Sequence, residues 1–197
     1  MKIHCYCDNI VELDTKDTYL LDDNTMQKIV DGEFMSVTCD KCNKVIKPEV
    51  KLVFASSDGG QYIFVPDNER YSYFSMEDTS VISGQIIIGY QELIELVEIL
   101  KNGFDQRVIE IIKLHMIQKV DDPSNAVIIF HKTSDDSLIF HVYGLKENEI
   151  GVVRIPMSLY SKIQNDLPAL ILKDPYKAIV EGPYISLRKH IESEAEE

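Results

Sequence analysis

All four cysteines of the 197-residue chain lie in two short clusters, Cys5 with Cys7 and Cys39 with Cys42. Four thiols in two tight pairs, about thirty residues apart, can surround a single tetrahedral metal ion. Zinc prefers thiolate ligands and closed four-coordinate sites. The sequence therefore predicts a structural zinc site with Cys5, Cys7, Cys39 and Cys42 as its ligands, and it predicts no reaction there.

The two clusters differ in how specific their spacing is. Cys39 and Cys42 have the spacing of a zinc knuckle, and Asn43 after them tolerates the left-handed backbone that such a turn commonly needs. Only one residue separates Cys5 from Cys7. His4 with Cys7 is therefore an alternative pair at knuckle spacing, since imidazole is also a good zinc ligand. We prefer Cys5, because an unused thiol beside a zinc site is open to oxidation.

Other uses of the cysteines agree less well with the sequence. Two disulfides would suit a secreted protein, but no apolar leader follows Lys2. A redox Cys-x-x-Cys motif usually opens a helix, whereas Cys39 and Cys42 lie between strand-forming residues. We therefore expect reduced thiols and a cytoplasmic location.

Composition and charge narrow the classes of function. Hydrophobic residues make up 45% of the chain and charged residues 27%, as in soluble globular proteins. The apolar runs are strand-sized, far below the ~20 residues that cross a bilayer. The formal net charge is −13, and acidic residues outnumber basic ones in both halves. This balance argues against a nucleic-acid partner and favours solubility or a basic protein partner.

Residues 1–80 are predicted to form a zinc-ribbon-like β domain with one short helix. Strand-forming residues flank both cysteine clusters. The segment that starts at Asp22 offers an N-cap for a short helix that ends before Gly32. A hairpin follows, with strands at 50–54 and 61–65. The segment from Arg70 to Phe74 is predicted to add another strand.

Residues 81–197 are predicted to form an α/β domain, which places the whole chain in the α+β class. An αα-hairpin spans residues 91–120 and turns at Gly103. Glu92 and Glu95 belong to a series of polar residues that recur every three positions on its first helix, leaving a wide apolar surface for the core.

The end of the chain is predicted to form a C-terminal antiparallel sheet with a helix. The helix begins near Ser158 and is interrupted by Pro168. The last residues, 192–197, are an acidic tail that we expect to be disordered. The predicted strands span residues 126–131, 138–143, 150–155 and 184–188.

Three segments of the chain are similar to one known family. They are Cys39-Asp40-Lys41-Cys42, Gly89-Tyr90-Gln91-Glu92-Leu93 and Gly103-Phe104-Asp105-Gln106-Arg107-Val108-Ile109-Glu110. Over about residues 1–115 the chain resembles the CpXC domain, a bacterial family with two Cys-Pro-x-Cys knuckles, a short helix between them and a β hairpin after them. The resemblance implies a metal-binding fold and brings no known catalytic residues.

Two departures from the family pattern bear on the ligands. Asp40 stands where the second motif has proline, while Cys39 and Cys42 match its ligands. When Cys7 is aligned with the last cysteine of the first motif, His4 takes the first ligand position and Cys5 takes the proline position. The resemblance therefore supports the alternative pair of His4 and Cys7.

The sequence offers few residues for catalysis. It carries no glycine-rich phosphate loop, serine elbow or metalloprotease helix motif. His131 and His141 are predicted to lie directly opposite each other across a hairpin, close enough to share a ligand or a second metal. Because the pattern supplies no third ligand, we interpret them as partly exposed strand histidines.

Two hypotheses about function follow from these observations. The first is a protein–protein interaction or assembly module in which zinc fixes the β domain and the α/β part offers a partner surface. The second is a hydrolytic or redox enzyme with a site in the C-terminal half. We prefer the first, because a zinc ion closed by four thiols has no open position for a substrate.

Overall fold

The chain is an α+β protein, as predicted, and its computed structural model describes residues 1–57, 59–74, 82–120 and 123–195. It divides into two compact units, Met1–Ile94 and Glu95–Glu197. The predicted domain boundary at residues 80 and 81 lies outside the described residues. No helix among the described residues is long and apolar enough to cross a membrane.

The N-terminal unit consists mainly of short strands. In its described residues, the strands and α-helices that lie wholly within it are β1 Lys2–His4, β2 Ile10–Glu12, β3 Thr18–Leu20, α1 Asp23–Val30, β4 Val37–Thr38, β5 Val45–Ile46, β6 Leu52–Ala55, β7 Gln61–Val65, α2 Arg70–Phe74 and β8 Gln85–Ile88. The next helix, α3 Gly89–Lys101, contains the boundary between the two units. The predicted short helix and the predicted hairpin of β6 and β7 are both confirmed.

A four-stranded sheet forms the core of the N-terminal unit. Its strand order is β3-β6-β7-β8, with an antiparallel β6–β7 hairpin and a parallel strand on each side. Aromatic side chains pack on it, with ring centroids 5.0 Å apart for Tyr19 and Phe34 and 5.4 Å apart for Phe34 and Phe54. Phe34 lies just after α1, so its burial fixes the chain that leads to the second cysteine cluster.

The strand predicted at Arg70–Phe74 is wrong, since these residues form helix α2. A 3-10 turn at Asp67–Glu69 follows Pro66 and leads directly into the helix. The Arg70 guanidinium binds the Asp67 carboxylate at 2.6 Å, three residues earlier, and the Glu92 carboxylate at 2.6 Å. These contacts favour a helical turn over the predicted extended chain.

The C-terminal unit packs helices on a three-stranded antiparallel sheet with the order β11-β10-β9. Its core is apolar, and Ile109, Phe130 and Phe140 are fully buried. The elements are α4 Gln106–Ile117, β9 Val127–Ser134, β10 Ser137–Tyr143, β11 Gly151–Pro156, α5 Met157–Leu170, α6 Tyr176–Val180 and α7 Leu187–Ala195.

The end of the chain differs from its prediction. The strand predicted at 184–188 is wrong, because helix α7 begins at Leu187, whose N–H donates to the Glu110 carboxylate at 2.7 Å. A carboxylate that accepts an N–H at a helix start stabilises that end. Residues 192–195 of the predicted disordered tail continue α7, and residues 196 and 197 lie outside the described part. Helix α5 runs past Pro168 to Leu170.

A buried ionic triad joins the part of α3 that lies in the C-terminal unit to three further elements of that unit. The Lys113 ammonium lies 2.6 Å from the Glu95 carboxylate and 2.7 Å from the Glu110 carboxylate. Glu95 also accepts the Phe130 N–H at 2.6 Å, and Glu110 accepts the Leu187 N–H. The triad therefore connects α3, α4, β9 and α7. Glu95 is only 5% exposed, although its helical spacing suggested a polar surface.

The triad places charge where water cannot reach it. Burial disfavours the ionised carboxylate and Glu110 repels it, so that the pKa of Glu95 rises to about 7 despite the opposing attraction of Lys113. Burial alone would lower the pKa of Lys113, but the two carboxylates raise it above its ordinary value. Lys113 is therefore the charge that makes two buried carboxylates tolerable.

Glu95→Gln is expected to make the free energy of unfolding less dependent on pH. The raised pKa means that Glu95 contributes its full stability below pH 4.5 and loses it as the pH rises through about 7. Between pH 5 and pH 8, the free energy of unfolding of the wild-type protein should fall by about 2–3 kcal/mol more than that of the variant. Urea unfolding at both pH values measures this loss. An unchanged difference between the two proteins would contradict the assignment.

Candidate metal centre

The first cysteine cluster is the turn between β1 and β2, which pair antiparallel from Lys2 and Glu12 to His4 and Ile10. The Cys5 N–H donates to the Asn9 carbonyl at 2.8 Å, and the Asp8 N–H donates back to the Cys5 carbonyl at 2.9 Å. Asp8, directly after Cys7, has a left-handed backbone with a φ of 63°. These bonds hold the Cys5 and Cys7 thiols on one side of a tight turn.

The second cluster repeats this arrangement between β4 and β5. The Cys39 N–H donates to the Lys44 carbonyl at 2.9 Å, and the Asn43 N–H donates to the Cys39 carbonyl at 2.9 Å. Asn43, directly after Cys42, has a φ of 57°, which confirms the left-handed position predicted for it. The two turns are thus similar knuckles, although the first has one residue fewer between its cysteines.

The two knuckles bring all four thiols to one point. The Sγ atoms of Cys5 and Cys42 are 3.5 Å apart, and those of Cys7 and Cys39 are 3.7 Å apart. All four Sγ atoms lie within 4.8 Å of one another. A tetrahedron with metal–sulfur bonds of ~2.3 Å has edges of about 3.8 Å, so the thiols have the separations that a four-coordinate ion requires. The cluster is compatible with metal binding.

His4 does not belong to this group. Among the described residues, the candidate ligand set around the knuckles consists of the four cysteines. His4 ends strand β1, where it pairs with Ile10, and its side chain is exposed. Cys5 is 5% exposed and Cys39 is fully buried, whereas Cys7 and Cys42 are partly exposed. The structure therefore brings together the preferred ligand set rather than the alternative with His4.

Two polar side chains contact the cysteine turns in a way that the sequence did not predict. The Asn9 amide donates to Cys39 Sγ at 3.5 Å, which links the first turn to a ligand in the second. The Lys41 ammonium, in the second turn, donates to the Cys7 carbonyl in the first turn at 3.3 Å. Such contacts orient ligands and offset thiolate charge. Neither residue type nor spacing pointed to them, because they depend on how the two knuckles meet.

The thiols differ in how readily they ionise. The Cys7 N–H favours the Cys5 thiolate, but burial and the neighbouring sulfurs outweigh it and raise the pKa of Cys5 to about 12. Burial also opposes ionisation of Cys39, yet the N–H of Cys42 and the Asn9 amide lower its pKa to about 6. Four adjacent thiols cannot all ionise without a compensating cation, so metal binding would release protons.

The histidine pair of the C-terminal sheet is close but not arranged as predicted. The His131 and His141 rings are stacked, with centroids 4.2 Å apart and planes inclined by 24°. The direct opposition predicted for them is wrong, because a bulge in β9 places His141 opposite Ile129. His131 is exposed and His141 is partly exposed, as expected for strand histidines.

Comparison with known proteins places the chain in a family. The sequence profile of the CpXC protein family matches residues 3–113, which is more than half of the 197-residue chain. The chain belongs to the CpXC family. An uncharacterized protein of Treponema pallidum (strain Nichols) is 21% identical to this CpXC protein over 213 aligned residues, which cover 95% of this chain and 97% of that protein. No solved structure matches it.

The family match and the cysteine geometry cover the same part of this CpXC protein. The matched span contains both knuckles, helix α1 and the hairpin of β6 and β7, and it ends at Lys113 in α4. The predicted resemblance is therefore confirmed. The three-stranded sheet of the C-terminal unit lies beyond the matched span.

Asn43→Val is expected to destabilise the second knuckle, whereas Asn43→Gly should be tolerated. A β-branched residue at a left-handed position costs about 1–2 kcal/mol, and glycine adopts that backbone without a steric penalty. Urea denaturation of the metal-loaded protein measures the difference between the two variants. Equal losses in both would show that the side chain of Asn43, rather than its backbone, is what the knuckle requires.

Proposed function

We propose that this protein is a cytoplasmic zinc protein in which a four-thiolate zinc site stabilises an adaptor or assembly module. The observation that supports this proposal is the convergence of four cysteine Sγ atoms within 4.8 Å of one another. Thiolates are soft ligands that favour zinc in four-coordinate sites. A cytoplasmic location agrees with the need for reduced thiols.

The zinc ion would be structural. Four protein ligands leave no open coordination position for water or substrate, in contrast to catalytic sites with three. The two ladders that carry the ligands are small: β1 and β2 form three residue pairs, and β4 and β5 form two. Isolated two-stranded hairpins are marginally stable in water, so a shared ion supplies the link that their contacts do not.

An adaptor role agrees better than catalysis with the ionisable groups of the C-terminal unit. Glu95 and Lys113 have strongly shifted pKa values, a common property of catalytic residues. Both are buried and hydrogen-bonded within the triad, so neither is presented to a substrate. Co-purification from the native cytoplasm tests the adaptor role, and the absence of any specific partner would contradict it.

Untagged protein purified under reducing conditions is expected to contain about one zinc ion per chain. Cys5→Ser should lose this zinc, because one thiolate of the tetrahedron is removed. His4→Ala is the matched control in the adjacent residue and should retain zinc. Elemental analysis by mass spectrometry measures the content of all three proteins. Zinc that is lost in His4→Ala and kept in Cys5→Ser would contradict the four-thiolate site.

A further inference from the structure

The three-stranded sheet of the C-terminal unit has a charge opposite to that of the chain. The chain contains 33 acidic residues, yet β9, β10 and β11 include no aspartate or glutamate. Their basic residues are His131, Lys132, His141 and Arg154, of which Lys132 and Arg154 carry a charge at pH 7. A basic surface on a protein with a net charge of −13 is a local departure that the overall composition does not predict.

The register of the sheet places these groups on its outer face. Side chains alternate between the two faces of a strand, and Phe130 and Phe140 point into the core. On the other face, Val152 of β11 lies opposite His141 of β10. Ile139 of β10 lies on the same face, between Lys132 of β9 and Arg154 of β11. Lys132, Arg154 and Val152 are exposed, Val152 by 59%.

This face is suited to an anion rather than a cation. Lys132 and Arg154 make no ion pair with another residue in the described part of the chain. Burial, and then the neighbouring His131 and Lys132, lower the pKa of His141, which agrees with a positive local field. A metal ion on the two histidines would be repelled by the nearby Lys132 ammonium.

The two edges of the sheet differ in their ability to accept another strand. Strand β9 is interrupted by the bulge beside His131, and bulges protect edges from pairing. Strand β11 pairs with β10 over six consecutive residues without a register shift, and it has no second neighbour among the described strands. Large apolar side chains are also exposed in β11 and in the loop that leads into it: Leu145 by 48%, Ile150 by 55% and Val152 by 59%.

We propose that β11 accepts an extended acidic segment of a partner protein as an additional strand. On the outer face, an apolar side chain of the segment would pack on Val152, and a carboxylate two residues away would bind Arg154. This inference rests on the proposed adaptor function and names the chemistry of its partner. Strand addition is an established mode of peptide recognition, in which backbone hydrogen bonds give affinity and alternate side chains give specificity.

Distances within a sheet decide which cations matter most. Neighbouring strands are ~4.8 Å apart, so an added strand lies beside Arg154, about 10 Å from His141 and about 14 Å from Lys132. The Debye length at physiological salt is about 8 Å. Arg154 therefore makes the direct contact, while Lys132 attracts the segment mainly at low ionic strength.

The test uses full-length, zinc-loaded protein and a synthetic peptide that repeats Thr-Val-Thr-Glu, which places valine and glutamate two residues apart. We expect saturable binding below about 1 mM that weakens as salt is added. The β11 amides should become protected from hydrogen exchange in the presence of peptide, because strand addition pairs them. A peptide in which lysine replaces glutamate should bind much more weakly.

Two charge-reversal variants locate the contact. Arg154→Glu should weaken peptide binding about fivefold or more, since an attractive contact becomes repulsive. Lys162→Glu, on the exposed side of α5, changes the net charge equally and should bind as wild type does. The inference would be overturned if the two variants had equal effects, or if the lysine peptide bound as well as the glutamate peptide. It would also be overturned if the β11 amides stayed unprotected or if no binding occurred at about 1 mM. Displacement of the peptide by equimolar oligothymidylate would overturn it in favour of nucleic acid.

Co-purification separates this inference from the proposed function. A specific partner that Arg154→Glu retains as well as wild type does would overturn the β11 surface and leave the adaptor role intact. A zinc-loaded wild type that binds the peptide but recruits no partner would contradict the adaptor role and support the surface. A partner that is lost from Arg154→Glu and kept by Lys162→Glu supports both.

Discussion

The convergence of four cysteine sulfurs is the constraint that joins the two knuckles of the N-terminal unit. The ladders that carry them comprise three and two residue pairs, too few to be stable alone. Each ladder ends in a turn with a left-handed residue, Asp8 or Asn43, that places its two thiols on one side. Beyond the knuckles, the aromatic packing of Phe34 and Phe54 provides a separate apolar core.

The C-terminal unit is held by a different kind of centre. Its helices and sheet share an apolar core, within which Lys113 joins Glu95 and Glu110. Each carboxylate also accepts a backbone N–H, so the triad fixes the start of α7 and the edge of β9 as well as the helix pair. Buried ions are costly unless every partner is present, which makes such a triad a device for specifying one arrangement.

Patterns among residues close together in the sequence correctly predicted those elements that form through contacts between neighbouring residues. Cysteine spacing, the Asp22 cap and the hairpin turns gave the knuckles, α1 and the strand pairs. The wrong predictions of secondary structure arose where contacts between residues far apart in the sequence determine the local structure. Helix α7 begins at a carboxylate 77 residues away, and Arg70 is held by Glu92. Contacts such as that of Asn9 with Cys39 exist only once the two knuckles meet.

We propose that one zinc ion is bound by sulfur alone, and X-ray absorption at the zinc edge tests this claim most directly. The full-length protein, loaded with one equivalent of zinc under reducing conditions, should show four sulfur neighbours at ~2.3 Å. This result would assign all four cysteines to one closed site. A nitrogen or oxygen neighbour at ~2.0–2.1 Å would contradict the claim, because it would place a histidine or a water on the metal.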